Sequence, residues 1–488
     1  MKLRARIFYF SAGRPVAILN EKFAKKATIH ADNRIFLKKN NKKIIAVVDI
    51  AREFLKENEI IVSTEVAQQL NLKENDFVEL KVAPKPQSIS YIMEKLKGKE
   101  LNKEKIERIV RDIVENALTE TEIAYFVSSV YTKGMSFREI ENLTKSIVNT
   151  GKKLNFKNEV VDKHSIGGVP GRTTPIIVSI CAVAGLTIPK TSSRAITSAS
   201  GTADAMECLC KVDFSAEEIK KIVSKTNACM VWGGSLNLAP ADDKIIQVER
   251  LMDLDPEPQL LASIISKKLA VGAKHVVIDI PYGKYTKINY NHAKKIEKRF
   301  QELGKHFKIK IKCSLNKIEE PLGYGIGPVL EILDVIKVLK REDSCYKLEK
   351  RAIEIASILL EISGKAKKGE GKNLALKILD SGKAWEKFKD IVKAQKGNAE
   401  RKLKTARFAY DIISKKSGRI KEINTKALNY IARLAGCPLD KSSGIYLYKH
   451  LNQEVKKGEK IITIYSETKE ELKEAIKCYN DLNPIIIK

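Results

Sequence analysis

Asp162-Lys163-His164-Ser165-Ile166-Gly167-Gly168-Val169, with its companion Ser192-Ser193-Arg194-Ala195-Ile196-Thr197-Ser198-Ala199-Ser200-Gly201-Thr202, decides how this chain is read. Between the two, an apolar run from Ile176 to Ala184 predicts a buried helix, stopped by Gly185 and followed by strand-like Leu186-Thr187-Ile188. The pattern is two polar, small-residue loops carried on buried elements. Gly167 and Gly168 let backbone N–H groups come close to a ligand, and the following helix turns its positive end to the same place. Lys163 adds a point charge and Arg194 a planar fork suited to phosphate; Ser165, Ser192, Ser193, Thr197, Ser198 and Thr202 add hydroxyls. One glycine pair often only turns the chain. Two such loops flanking one buried helix predict an anion site.

Working outward, 488 residues call for roughly three domains. No apolar run reaches the length of a membrane span, and Met1-Lys2-Leu3-Arg4 leads directly into a strand pattern. A cytoplasmic protein without a membrane partner is expected. The net charge of +29 invites nucleic acid, yet charged residues of both signs are interspersed, as from Lys103 to Asn116. Anionic small substrates fit this better than nucleic acid does, and a Lys-rich, ion-paired surface suits a hot environment. Of the eight cysteines, Cys208 and Cys210 have no second pair at metal-like spacing, so buried thiols and no metal are expected.

The expected fold class is α/β and multidomain, in four parts. Residues 1–84 read as a small N-terminal β barrel, from alternation in Leu3–Phe10, Arg34–Leu37 and Phe77–Val82 and a short helix opening at Ser63 and ending near Leu72. This part holds no catalytic constellation and is expected to serve assembly. After the linker Pro84-Lys85-Pro86, residues 87–160 read as a helical α domain with capping boxes at Thr119/Glu122 and Ser136/Glu139 and an Ile140–Leu143–Ile147 core stripe. Residues 161–340 read as a mostly parallel α/β domain, with strands at 228–231, 275–280 and 307–311 and helices at 215–226, 259–270 and 292–303. Gly323-x-Gly325-x-Gly327 lacks the βαβ setting of a dinucleotide site. Residues 341–488 read as a C-terminal α+β domain of hammerhead type, with a helix at 351–363, a solvated basic loop at 365–369, and no Met-Lys turn that would make it a carrier.

Lys163-His164-Ser165-x-Gly167-Gly168-Val169, and Ser192-x-Arg194 followed by Gly201-Thr202-x-Asp204, resemble the signature of the thymidine and pyrimidine-nucleoside phosphorylase family. Where the bacterial members carry Gly and His, this chain has Ala195-Ile196-Thr197-Ser198-Ala199-Ser200; that version, with the extra N-terminal domain, resembles the archaeal AMP phosphorylases. The resemblance implies a pentosyltransferase that converts AMP and phosphate to adenine and ribose 1,5-bisphosphate, with CMP and UMP as further substrates. The alternative is a thymidine or pyrimidine-nucleoside phosphorylase. It further implies a homo-oligomer, at least a dimer through the helical domains, whose helical domain closes over the site.

Phosphorolysis needs a phosphate cradle, a positioned sugar and a proton for the departing base, and no metal or organic cofactor; inorganic phosphate is the co-substrate. By the resemblance, Lys163, Ser165, Ser192 and Thr202 fall on phosphate-binding positions, Gly167 approaches the nucleotide, and His164 faces the base. Ser263 and Lys267 lie one turn apart on the helix that would grip the base. The arginine expected upstream has no clean match, Arg250 being displaced, and acidic residues fill the interval Asp253-Leu254-Asp255-Pro256-Glu257. A carboxyl there suits a purine nucleotide, and Asp255 is the candidate catalytic acid, with helix capping its alternative role. A nucleotide enzyme also needs contacts for the 5′-phosphate. Arg194, Thr197, Ser198 and Lys287 are the candidates, with Lys284 as the alternative lysine, and Ser193, Ala195, Ile196 and Thr202 complete the nucleotide-binding positions that the resemblance implies.

Overall fold

Six strands close the N-terminal segment into a barrel, in the neighbour order Lys2–Ile7, Glu59–Val62, Val16–Asn20, Lys42–Ala51, Arg34–Lys39, Phe77–Val82 and back to the first. The computed structural model describes residues 1–195, 198–343 and 345–488, with every side chain among them except that of Ser235. The alternating side chains Leu3, Ala5, Ile35, Leu37, Val78 and Leu80 fill the barrel. Closure leaves no edge open to other chains. Three of the strands escape the alternation test. Glu59–Val62 is buried along its whole length and Val16–Asn20 nearly so, which erases the period of two that marks a half-exposed strand; Lys42–Ala51 also breaks its alternation, with three buried residues in a row.

The chain forms two compact units, Met1–Gly151 with Ala239–Ser266, and Lys152–Leu238 with Lys267–Lys488. In the first unit, helices Ser88–Leu96, Lys103–Val114, Glu120–Lys133 and Phe137–Thr150 make a bundle. Both capping boxes form, at Thr119/Glu122 and Ser136/Glu139, and Ile140, Leu143 and Ile147 are buried as the stripe requires. The capping carboxylates have second partners. Glu122 pairs with Arg34 of the barrel, and Glu139 accepts two bonds, at 2.7 and 2.8 Å, from the buried Lys95. Helix Pro240–Met252 packs on the bundle, where Lys244 donates to the last carbonyls of a neighbouring helix, Ile113 at 2.9 Å and Val114 at 3.0 Å.

In the second unit, strands Lys310–Lys317, Ala273–Tyr282 and Val160–Ser165 form a parallel sheet in that order. A parallel pair, Ile188–Ser192 with Ala228–Trp232, joins it through the bridge Val160–Thr187. The loops after Ser165, Ser192 and Tyr282 therefore leave carboxyl ends of parallel strands, where α/β sheets bind ligands. Helix Thr174–Val183 is buried almost throughout and packs against helices Tyr346–Ile362, Gly371–Asp380 and Lys383–Ala394. One expected strand is displaced. Phe307 ends helix Tyr290–Phe307, Lys308 takes a left-handed φ of +56° that stops it, and the strand starts at Lys310.

The last part of this unit carries two further sheets. One orders Gly325–Ile326, Gly444–Leu447, Lys460–Ser466 and Phe408–Ile413; the other orders Glu454–Val455, Gly418–Ile423 and Ile485–Ile487. Gly325 of the glycine triplet thus belongs to an antiparallel pairing with Gly444–Leu447. Helix Thr425–Leu434 packs into this region, and its Leu428, Ile431 and Ala432 share one core cluster with Ala199 of the Ser-rich loop. The chain is a multidomain α/β protein with a closed barrel, a helical bundle and mixed α/β regions.

Candidate functional site

Lys163 ends up in the interior because it sits on the central parallel sheet, on strand Val160–Ser165. Its Nζ lies 3.4 Å from Thr173 Oγ1, and burial pulls its pKa down to about 8, against the opposing pull of Asp279. Ser165 Oγ donates to Asp279 Oδ2 at 2.9 Å, while the other carboxylate oxygen of Asp279 pairs with Arg351. One residue before Lys163 on the same strand, Asp162 is fully buried between two buried lysines, with Oδ2 2.5 Å from Lys268 Nζ and Oδ1 3.5 Å from Lys190 Nζ. Burial favours its neutral form, but the Lys190 and Lys268 charges outweigh that and hold its pKa below the usual value. Arg172, at the end of the glycine loop, pairs with buried Glu331.

These groups form a largely buried set in which Lys163, Lys190, Lys268, Arg172 and Arg351 stand among Asp162, Asp279 and Glu331, with burial and the nearby buried Asp334 raising the Glu331 pKa and half-exposed Glu354 3.1 Å from Arg351. Burial draws the pKa of both Lys163 and Lys268 down to about 8, so an anion bound among them would stabilise their charged forms. His164 beside it stays neutral, since burial and the charges of Lys268, Lys190, Lys267 and Lys163 push its pKa well below the ordinary histidine value. The backbone loop opens at Gly167, which is exposed, and Gly168 takes a φ of +100° in the left-handed region that glycine tolerates.

The second loop is folded by one carboxylate. Asp204 Oδ2 accepts from Ala195 N at 2.7 Å and Gly201 N at 2.8 Å, and its Oδ1 lies 3.3 Å from Arg194 Nη1. Gly201 must be glycine, because a Cβ would stand 2.6 Å from Ser193 O. Ser192 offers a buried Oγ that has no hydrogen-bond partner among the described residues. Ser193 is exposed, Thr202 opens helix Thr202–Glu207, and Ser198 Oγ donates to Ser200 O at 2.8 Å. Arg194 is not a bare fork. Its guanidinium forms a two-pronged pair with Glu207 at 2.7 and 2.8 Å and lies 5.0 Å over the Trp232 ring. Arg194's hydrogen bonds outweigh burial and bring the Glu207 pKa down to about 2, with help from Lys441. Ile196 and Thr197 lie outside the described residues.

In the third loop, Lys287 is exposed, whereas Lys284 is 2.7 Å from Glu422 and Tyr285 bonds the same carboxylate. Lys284 is therefore already engaged by the C-terminal region. Asp255 and Ser263 belong to the first unit, and the three loops to the second. Asp255 is exposed just before helix Glu257–Ala270, and Ser263 Oγ on that helix donates to buried Asp242 Oδ2 at 2.8 Å. Arg250 is exposed on helix Pro240–Met252.

Comparison with known proteins then gives the family. Residues 89–151 match the helical bundle domain of a glycosyl transferase family, 157–283 its a/b domain, and 419–485 the pyrimidine nucleoside phosphorylase C-terminal domain. AMP phosphorylase of Methanococcus maripaludis is 40% identical over 100% of this chain and 97% of its own length. The Methanocaldococcus jannaschii AMP phosphorylase is 40% identical over 97% of this chain and 95% of its own. The chain belongs to the AMP phosphorylase family. Anthranilate phosphoribosyltransferase of Thermus thermophilus, at a TM-score of 0.54 and 15% identity over 63% of this chain and 99% of that one, shares the fold.

Within this AMP phosphorylase family member, sequence reasoning passed over the residues that organise the loops. Asp279 and Arg351 sit on the strand and helix that were read only as scaffold, 72 residues apart. Lys190, Lys268 and Asp162 look like ordinary charges in the sequence, and the strand that carries Lys190, Ile188–Ser192, is itself too polar to mark the lysine as buried. Asp204 stood in the motif without a role. Asn429 gave no signal, because its partners are 230 and 261 residues away.

Proposed function

We propose that the chain catalyses the phosphorolysis of AMP to adenine and ribose 1,5-bisphosphate, and that of CMP and UMP to the corresponding bases. The observation that carries this reading is the end-to-end identity of 40% with AMP phosphorylases. The buried lysines around Lys163 support it, since burial draws their pKa values down and a bound inorganic dianion would stabilise their charged forms. In the proposed reaction, a phosphate oxygen held by Lys163, Ser165, Ser192 and Thr202 attacks the anomeric carbon. The bond from that carbon to the base nitrogen breaks, its electron pair goes to the base, and the Asp255 carboxyl gives the base its proton. Gly167, Ser193, Arg194, Ala195, Ile196, Thr197, Ser198, Ser263 and Lys287 are the nucleotide contacts in this reading.

No helix among the described residues is long and apolar enough to cross a membrane, and we place the enzyme in the cytoplasm. The segment 1–84 serves assembly, 87–160 dimerisation and closure, 161–340 the chemistry, and 341–488 forms the C-terminal α+β domain of hammerhead type. A second reading, a pyrimidine-nucleoside phosphorylase, draws on the match at 419–485. Phosphate-dependent base release from AMP and from adenosine or uridine, side by side in EDTA, separates them. We expect AMP to be cleaved and nucleosides to be poor; equal or better nucleoside cleavage would sink the nucleotide reading.

The 5′-phosphate contact has its own test. Lys287→Ala should raise KM for AMP about 10-fold or more, the loss of one charge-assisted bond, and leave the residual cleavage of adenosine unchanged. Lys284→Ala, which removes the Glu422 pair and the contact with the Tyr285 ring, should leave KM for AMP near the parent value. The opposite ranking would hand the contact to Lys284.

A further inference from the structure

Asn429 is an anomaly by local rules. It lies inside helix Thr425–Leu434, where asparagine is a poor residue, and it is buried at 6% exposure, where an amide needs partners. Its partners are not in its own helix. Nδ2 donates to Gly168 O at 2.9 Å and Oδ1 accepts from Ala199 N at 3.2 Å. A carbonyl can only accept and an N–H can only donate, so the two partners fix which way the amide points. Gly168 belongs to the glycine loop and Ala199 to the Ser-rich loop. One side chain thus joins the two anion loops, and Ala199 itself is seated, fully buried, in the core cluster that holds Leu428 and Ile431 of the same helix. The third loop is held from the same element. Thr425 Oγ1 lies 3.3 Å from Tyr285 O, and Glu422, just before the helix, engages Lys284.

We infer that Asn429 is a positioning residue that sets the register between the phosphate loop and the nucleotide loop, so that ordering one by its ligand readies the other. The inference rests on the proposed phosphorolysis for the names of the two ligands, and on geometry alone for the link. The two ends of the amide make different predictions. Asn429→Ala removes both bonds and leaves the buried Ala199 N–H without its partner. Asn429→Asp keeps an acceptor for Ala199 N but sets a carboxylate oxygen against Gly168 O.

The test measures KM for phosphate and for AMP in the full-length protein, with hydrogen exchange of the Ala199 amide and of residues 166–168. Asn429→Ala should raise both KM values about 10-fold and speed exchange in both loops together. Asn429→Asp should raise KM for phosphate more than KM for AMP. Ile462→Ala, a cavity in the same core cluster made on strand Lys460–Ser466 and outside all three loops, should lower the melting temperature and leave both KM values unchanged. If the Asn429 variants behave like Ile462→Ala, the residue is only structural and the inference is overturned. Should the parent protein release no adenine from AMP, the proposed reaction fails, and exchange still decides the link: protection unchanged in Asn429→Ala overturns it, and joint loss in both loops upholds it.

Discussion

Asp255→Asn is expected to lower kcat for adenine release from AMP by about 10²- to 10⁴-fold, the usual worth of a general acid, with KM for AMP nearly unchanged. Asparagine keeps the size and the ability to bond but cannot deliver a carboxyl proton to a leaving base. The position is well held for the task. Asp253 stops the preceding helix in a left-handed conformation, φ +52°, and Pro256 fixes the turn into helix Glu257–Ala270. The decisive control is a nucleotide whose base departs without protonation. If Asp255 is the acid, the variant should cleave that substrate at close to the parent rate. An equal loss on both substrates would reduce Asp255 to a structural or capping residue.

Lys163→Ala should raise KM for phosphate about 30-fold or more, because it removes a buried charge from the proposed phosphate cradle. The pH dependence carries the sharper signature. Burial lowers the Lys163 pKa to about 8, so the free protein holds a cation below that pH and a neutral amine above it. Phosphate needs the cation. Its affinity should therefore be flat below pH 8 and fall about tenfold per unit above it, while the bound dianion moves the lysine pKa upward. Lys163→Arg stays charged throughout and should flatten this profile even if it binds less well. Calorimetric titration of phosphate from pH 7 to 9.5 reads both. A parent profile without a break near 8 would remove Lys163 from the cradle, and a break that survives in the arginine variant would assign the titration to Lys268, whose pKa burial also brings down to about 8.

The fold was readable where periodicity and end signals agree. Thr119/Glu122 and Ser136/Glu139 mark helix starts that form as written, and strands 228–232 and 273–282 surface as apolar runs. It was unreadable where burial on both faces removes the period, as in Glu59–Val62, and where a single left-handed residue, Lys308, moves a boundary. The site divides the same way. Lys163, Ser165 and Gly201-Thr202-x-Asp204 announce themselves because short polar, glycine-bearing stretches of sequence concentrate them, although Lys163 and Ser165 end a strand and Thr202 opens a helix. Arg194 was legible as a cation, but its engagement by Glu207, 13 residues on, was not. Asp279, Arg351, Lys268 and Asn429 acquire meaning only through tertiary partners, and nothing in their own neighbourhoods distinguishes them from scaffold.

The buried lysines beneath the glycine loop reach beyond catalysis. Burial draws down the pKa values of Lys163, Lys190 and Lys268, so keeping them charged costs the empty protein free energy that a bound dianion would offset. In the proposed reaction phosphate is then a structural counter-ion as well as a reactant. By mass action, a ligand at 100 times its dissociation constant adds about 2.7 kcal/mol to the folded state, a sizeable fraction of what holds a typical domain together. Supply and durability become one variable: where the co-substrate is plentiful the protein is tightened by it, and where it is scarce the same protein both idles and loosens, leaving the emptied form the first to be lost to heat or proteolysis.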